Sequence, residues 1–167
     1  METIVNKVAE SGIVTLDLAP FIPVDSIATF DLKPFLFREM ILKEKDYRAA
    51  LPEFDWQQFL GKHVAICCTA DAIVPVWAYM LAVSYLQNTA ASVYFGTPAE
   101  LQKLIIEKQI AAIDTTEYAD KRVVLKGCGD TEIPEAAYVA ASQHLLPVVK
   151  SLMYGEPCST VPIYKRK

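Results

Sequence analysis

The sequence predicts a single three-layer α/β domain spanning residues 1–167, built on a mainly parallel sheet, and three observations lead there. In the second half, short apolar runs alternate with helical stretches in the order β-α-β-α-β-α. That order yields parallel strands joined by right-handed crossovers. Thr97-Pro98-Ala99-Glu100 is a capping box with proline at the first helical position, which fixes the start of the middle helix. From Ala72 to Ala99 there is no charged residue, as suits a helix and strand at the centre of a sheet covered on both faces.

The N-terminal region forms an added strand and helix segment. Ile13–Leu18 alternates apolar and polar residues and reads as a strand at a sheet edge. Phe35–Leu42 fits strand or helix equally well. Lys43–Leu51 reads as a helix that ends before Pro52. Asp55 caps a short turn through Trp56–Leu60, closed by Gly61 in the left-handed conformation that helix ends favour.

In the second half, Val64–Cys68 is the first strand. Asp71 and Pro75 open the helix Val76–Leu86, which is expected to be fully buried. Ala91–Phe95 is the second strand, and the capped helix follows with Leu101, Leu104 and Ile105 on one face. Val123–Leu125 is the third strand of the same sheet. The last helix opens near Pro134, with Tyr138, Ala141, Leu145, Val148 and Leu152 at helical spacing and Pro147 set to kink or interrupt it. Residues 155–167 form an extended tail in which Val161-Pro162-Ile163-Tyr164 needs apolar cover. The sequence shows no internal repeat and no linker.

Composition narrows the functions. With 53% hydrophobic and 22% charged residues the chain is not disordered. A net charge of −4 and a pI near 5.2 argue against nucleic-acid binding. The basic terminus Lys165-Arg166-Lys167 reads as a solvated tail. Met1–Lys7 lacks the pattern of a secretory signal. The uncharged stretch Ala72–Leu86 falls short of the ~20 residues of a membrane span. These features predict a cytoplasmic protein with reduced cysteines and no membrane partner.

Chemistry concentrates at the cysteines. Cys67 and Cys68 end one predicted strand, Cys128 follows another, and Cys158 sits in the tail. In open α/β sheets ligands bind beyond the carboxyl ends of the strands. A zinc or iron site would draw on Cys67 or Cys68, Cys128 and Cys158, with Asp71 or Asp130 as an oxygen ligand. Cys158 reaches that edge if the tail runs straight back along the sheet or if Pro147 turns the last helix early; otherwise it belongs to a different site or to one in another subunit. Plain packing and a reactive thiol are the competing accounts of these residues. The glycines of Gly127-Cys128-Gly129-Asp130 would let a ligand approach the backbone, or simply permit a tight turn. His63 and His144 read as a strand-end and a helix residue rather than ligands. No glycine-rich phosphate loop follows any strand, so no nucleotide cofactor is expected, and G-x-S-x-G, H-E-x-x-H and C-x-x-C are absent.

Two stretches, Cys68–Leu81 and Ser151–Tyr164, together with Gly127-Cys128-Gly129, Pro134 and Tyr138, resemble a small family of bacterial proteins known only as a domain of unknown function. The resemblance covers nearly the whole chain. It implies a cytoplasmic bacterial protein and brings no activity, cofactor or catalytic residue. The leading expectation is therefore a protein that binds a metal ion or small ligand through its cysteines. The alternative is a non-catalytic interaction protein with buried structural cysteines. A homodimer is expected in either case, with the tail from Gly155 to Tyr164 in its interface.

Overall fold

A computed structural model describes residues 12–127 and 129–167; Cys128, the middle member of the proposed metal ligands, lies outside the described residues. The chain is of the mixed α/β class, and its packing gathers into two compact units. One is continuous, Pro23–Gln102; the other joins the segment ending at Ile22 to everything from Lys103 onward.

In the continuous unit, β2 (Ile27–Asp31), β5 (His63–Cys67) and β6 (Ser92–Phe95) form a parallel sheet in that order. Helix α2 (Val76–Leu86) is the crossover from β5 to β6. Val64 and Ile66 of β5 point to one face, where they pack with Phe30, Leu32, Phe59 and the α2 residues Ala78, Ala82 and Leu86. Alanines at two of these helix positions let α2 approach the strands closely. Tyr47 of α1 (Glu44–Ala50) is fully buried, and its hydroxyl donates to Ala78 O at 2.9 Å, which satisfies the one polar atom it buries. The segment left open between strand and helix is a small antiparallel pair, β3 (Leu36–Phe37) with β4 (Ile41–Leu42). Arg38 and Glu39 turn between them at positive φ.

The discontinuous unit holds β1 (Ile13–Leu16), β7 (Arg122–Lys126) and β8 (Ser151–Glu156), all parallel, with β9 (Ser159–Lys165) antiparallel on the outer side of β8. Helix α4 (Glu135–Leu145) connects β7 to β8. Helix α3 (Pro98–Ala111) opens with the expected reciprocal cap: Thr97 N–H donates to Glu100 Oε2 at 2.8 Å and Glu100 N–H to Thr97 Oγ1 at 3.2 Å. Its Ile106 and Ile110 enter the core with Leu16, Val123, Leu125, Ala141 and Leu152.

Two expectations, on the shared sheet and on the last helix, need correction. The strands β5, β6 and β7 do not share a sheet: the first two pair with each other, whereas β7 pairs with β1 and β8. Leu152 is not helical. Pro147 interrupts the pattern, α4 ends at Leu145, and Ser151–Glu156 is a strand, because after the break Leu152 can reach the core from β8 as well as from a helix. The tail is extended, but as strand β9 bonded to β8.

The two units also share one plan, so the chain does contain a repeat. Ile13-Val14-Thr15-Leu16-Asp17-Leu18-Ala19-Pro20-Phe21 aligns with Ile27-Ala28-Thr29-Phe30-Asp31-Leu32-Lys33-Pro34-Phe35 without a gap, identical at six of nine positions. The bodies match without a gap, His63 to Arg122 at the strand, Val76 to Glu135 at the helix and Ser92 to Ser151 at the next strand. Registers coincide: Ile27 pairs with His63 as Ile13 pairs with Arg122, and His63 with Ser92 as Arg122 with Ser151. The buried stripe Ala78, Ala82 and Leu86 recurs as Ala137, Ala141 and Leu145. Tyr79 meets Phe95 edge-on at 5.0 Å, and Tyr138 meets Tyr154 at 5.4 Å. Gly96 and Gly155 both end their strands at positive φ, where an added β-carbon would lie 2.6 Å from Glu100 Oε2 or Ser159 O. The copies are interleaved, with first strands adjacent and bodies in reverse order, so no fixed period marks them.

Candidate functional site

The carboxyl ends of β2 and β5 bring Asp31 and Cys67 side by side as register partners. Asp31 Oδ1 accepts the N–H of Lys33 at 2.9 Å and of Thr69 at 3.0 Å, while Oδ2 accepts the Thr69 hydroxyl. Partial burial opposes its charge, but the bonds from the Thr69 hydroxyl and the Lys33 and Thr69 amides outweigh that and hold the carboxyl below its usual range. Burial first, then the charge of Asp31 and the neighbouring Cys68, pushes the Cys67 thiol up, so it stays protonated and weakly nucleophilic at neutral pH. The Cys68 thiol points back to Ala70 O at 3.6 Å. Tyr79 is likewise raised, by burial and then by Cys68, Cys67 and Asp31. The edge therefore holds a carboxylate tied down by its own loop beside the protonated Cys67 thiol and the Tyr79 phenol.

The corresponding edge of the other unit has diverged. Asp17 repeats the turn, accepting Ala19 N–H at 2.9 Å. Lys126 stands where Cys67 stands and places Nζ 3.4 Å from Asp17 Oδ2. The Ala19 amide is the main cause that holds the Asp17 carboxyl low, against slight burial and with help from Lys126. Tyr138 donates its hydroxyl to Lys126 O at 3.0 Å. Beyond it Gly127, Gly129, Thr131, Glu132, Ile133, Tyr138 and Tyr154 line an open cavity of about 410 Å³.

The proposed ligands are thus divided between units. Cys67, Cys68 and the exposed Asp71 belong to the continuous unit; Cys158, exposed in the β8–β9 turn, and the exposed Asp130 belong to the other. Cys128 matches Thr69 in the repeat, and the three remaining cysteines do not stand at equivalent positions. Cys67 ends β5 and Cys128 follows β7, strands of different sheets and not of one sheet as expected. Among the described residues no three histidine, cysteine or acidic side chains gather as a metal-binding set. Both histidines have partners: His63 Nδ1 lies 2.7 Å from Ser92 Oγ, and His144 Nε2 lies 2.8 Å from Ile113 O.

The most unusual surface is one the sequence reading placed in the core. Helix α2 buries Ala78, Ala82 and Leu86, but its opposite side exposes Val76 (74%), Met80 (67%) and Val83, at i, i+4 and i+7. Ile73 (88%) precedes them, bridged to the exposed Ile41, and Phe95 (68%) is joined to the helix through Tyr79. The helix carries no charge, and its exposed side has only the small Ser84 as a polar residue, so the charge-free run gives little phase and fitted full burial. The sheet covers only one side. In the repeat the same positions read Glu132 for Ile73, Glu135 for Val76, Ser142 for Val83 and Tyr154 for Phe95, with only Met80 matched by another aliphatic, Val139. One copy of the helix has a water-compatible face and the other does not.

A family model described as a protein of unknown function, DUF2480, matches residues 2–166, and the chain belongs to that family. No curated protein matches it, and neither does any solved structure. No helix among the described residues is long and apolar enough to cross a membrane.

Proposed function

We propose that this DUF2480 protein is a non-catalytic interaction module that self-associates as a homodimer through the apolar face of its continuous unit. The observation that carries the reading is the contrast between the two copies of the crossover helix. Where the fold repeats, α4 meets solvent with Glu132, Glu135 and Ser142 nearby, whereas α2 offers Ile73, Val76 and Val83. Taking ~150–200 Å² for a free side chain of this size, Ile73, Val76, Met80, Val83 and Phe95 leave on the order of 600 Å² of apolar surface in water. A standard interface removes about 800 Å² per partner, a figure that Ile41 and Met40 bring within reach. A second copy is the fitting occupant. A two-fold interface lays a patch against itself, and a segment with no charge from Ala72 to Ala99 does so without like-charge repulsion.

In this reading the half-buried Cys67 and Cys68 pack within their unit and Cys158 is a surface thiol with no chemical role, so the expectation of buried structural cysteines does not extend to it. Cys67, Cys68 and Cys158 are free, as suits a reducing cytoplasm, the location we assign to the protein. The tail is a strand of its own sheet with Val161, Ile163 and Tyr164 partly exposed, and the dimer contact is assigned to α2 instead.

Met80→Glu tests the proposal. Burying a methionine contributes about 1.5–3 kcal/mol. Losing two copies, each two-thirds exposed in the free chain, weakens the dimer by roughly 2–4 kcal/mol, or ~30- to 1,000-fold in Kd. Position 80 faces water, so the variant keeps its fold by circular dichroism while sedimentation velocity reports monomer. A variant that stays dimeric with wild-type affinity removes α2 from the interface.

A further inference from the structure

We infer that the outer edge of β6 is a strand-pairing site, filled by β6 of a second copy running antiparallel across the two-fold axis. The inference rests on the dimer reading above and extends it to the sheet. In the repeat, β8 is the counterpart of β6, and its outer edge is covered by β9. No described strand covers the outer edge of β6. The chain explains the difference: after Gly155 and Pro157 it turns back as a hairpin, whereas after Gly96 and Pro98 it enters α3.

Exposed edges invite pairing unless they are blunted by lysine, proline or a bulge. Strand β9, the end of its own sheet, carries all three protections: Pro162, Lys165 and a register shift opposite Leu152 and Met153. Ser92-Val93-Tyr94-Phe95 carries none of them and no charge. Its backbone is presented for pairing. Gly96 N–H donates to Ile66 O at 3.0 Å, so by alternation Tyr94 turns its backbone groups to β5, while Val93 and Phe95 turn theirs to the open side. Antiparallel pairing of two such strands would set Phe95, exposed and joined through Tyr79 to α2, against the partner. Sheet and helix would then form one continuous contact.

Backbone amide exchange followed by NMR tests this residue by residue, on the wild-type dimer and on monomeric Met80→Glu. The expected result is exchange at Val93 and Phe95 at least ~100-fold slower in the dimer than in the variant, with Tyr94 protected in both. Equal, fast exchange of Val93 and Phe95 in a wild-type dimer overturns the strand pairing and leaves the dimer standing. Slow exchange that persists in the monomer overturns it too, since the edge is then covered by its own chain. A wild-type monomer overturns both proposals.

Discussion

Thr69→Val probes how the β2–β5 edge is held together, and its effect can be worked out from the geometry. The substitution keeps the shape of the side chain and the Thr69 N–H bond to Asp31, and removes only the hydroxyl donor to Asp31 Oδ2. A hydrogen bond to a charged group contributes about 1.5–3 kcal/mol when buried. This one is exposed, so the expected cost is nearer ~1 kcal/mol, which lowers Tm by about 2–4 °C in a chain of this size. The sign of the pH dependence follows from the depressed carboxyl. The stabilisation from Asp31 is fully present above the ordinary aspartate range, near pH 4, and fades as pH falls through its lower folded value. The wild-type advantage over Thr69→Val should therefore be constant from pH 7 down to about pH 5 and shrink progressively as pH falls below about 4. The same substitution made on Asp31→Asn should cost less than half as much as on wild type, a double-mutant cycle read by thermal denaturation. An equal cost in both backgrounds would refute a charge-assisted hydrogen bond between these residues.

Two further outcomes follow from the fold. Ala82→Leu and Ala141→Leu overfill equivalent, fully buried positions beneath α2 and α4, so each should cost about 1–3 kcal/mol in urea unfolding; a change under ~0.5 kcal/mol at either site would break the equivalence of the two units. With a small thiol reagent at pH 7, mass-mapped labelling should mark exposed Cys158 well before Cys67, whose thiol burial and Asp31 hold up. The reverse order would contradict the geometry of the β5 edge.

Local signals carried much of this fold. The capping box at Thr97, the limits of Val76–Leu86, the turn that Asp55 caps through Gln57 N–H and the left-handed Gly61 depend on a few neighbouring residues and stand as read. Sheet membership did not show, because the pairing of β7 with β1 rather than β6 is set by contacts distant in sequence. Strand β2 went unread although Ile27–Phe35 nearly copies the recognised Ile13–Phe21, since the copies are interleaved instead of tandem. Pro147 announced a break, but the apolar residues after it fit a helix or a strand equally. For the site, the sequence pointed to cysteines at strand ends, and Cys67 does lie at one. What it could not show was the exposed side of α2, because a helix without charges, whose solvent side carries only the small Ser84 as a polar residue, gives little sign of which side faces water.

Sedimentation velocity of the full-length wild-type protein from about 1 to 100 µM asks directly whether two copies of this chain meet through the continuous unit. A species of twice the 18.6 kDa chain mass is expected at the upper end of that range, converted to monomer by Met80→Glu at the same concentration. A single species of 18.6 kDa throughout would contradict it.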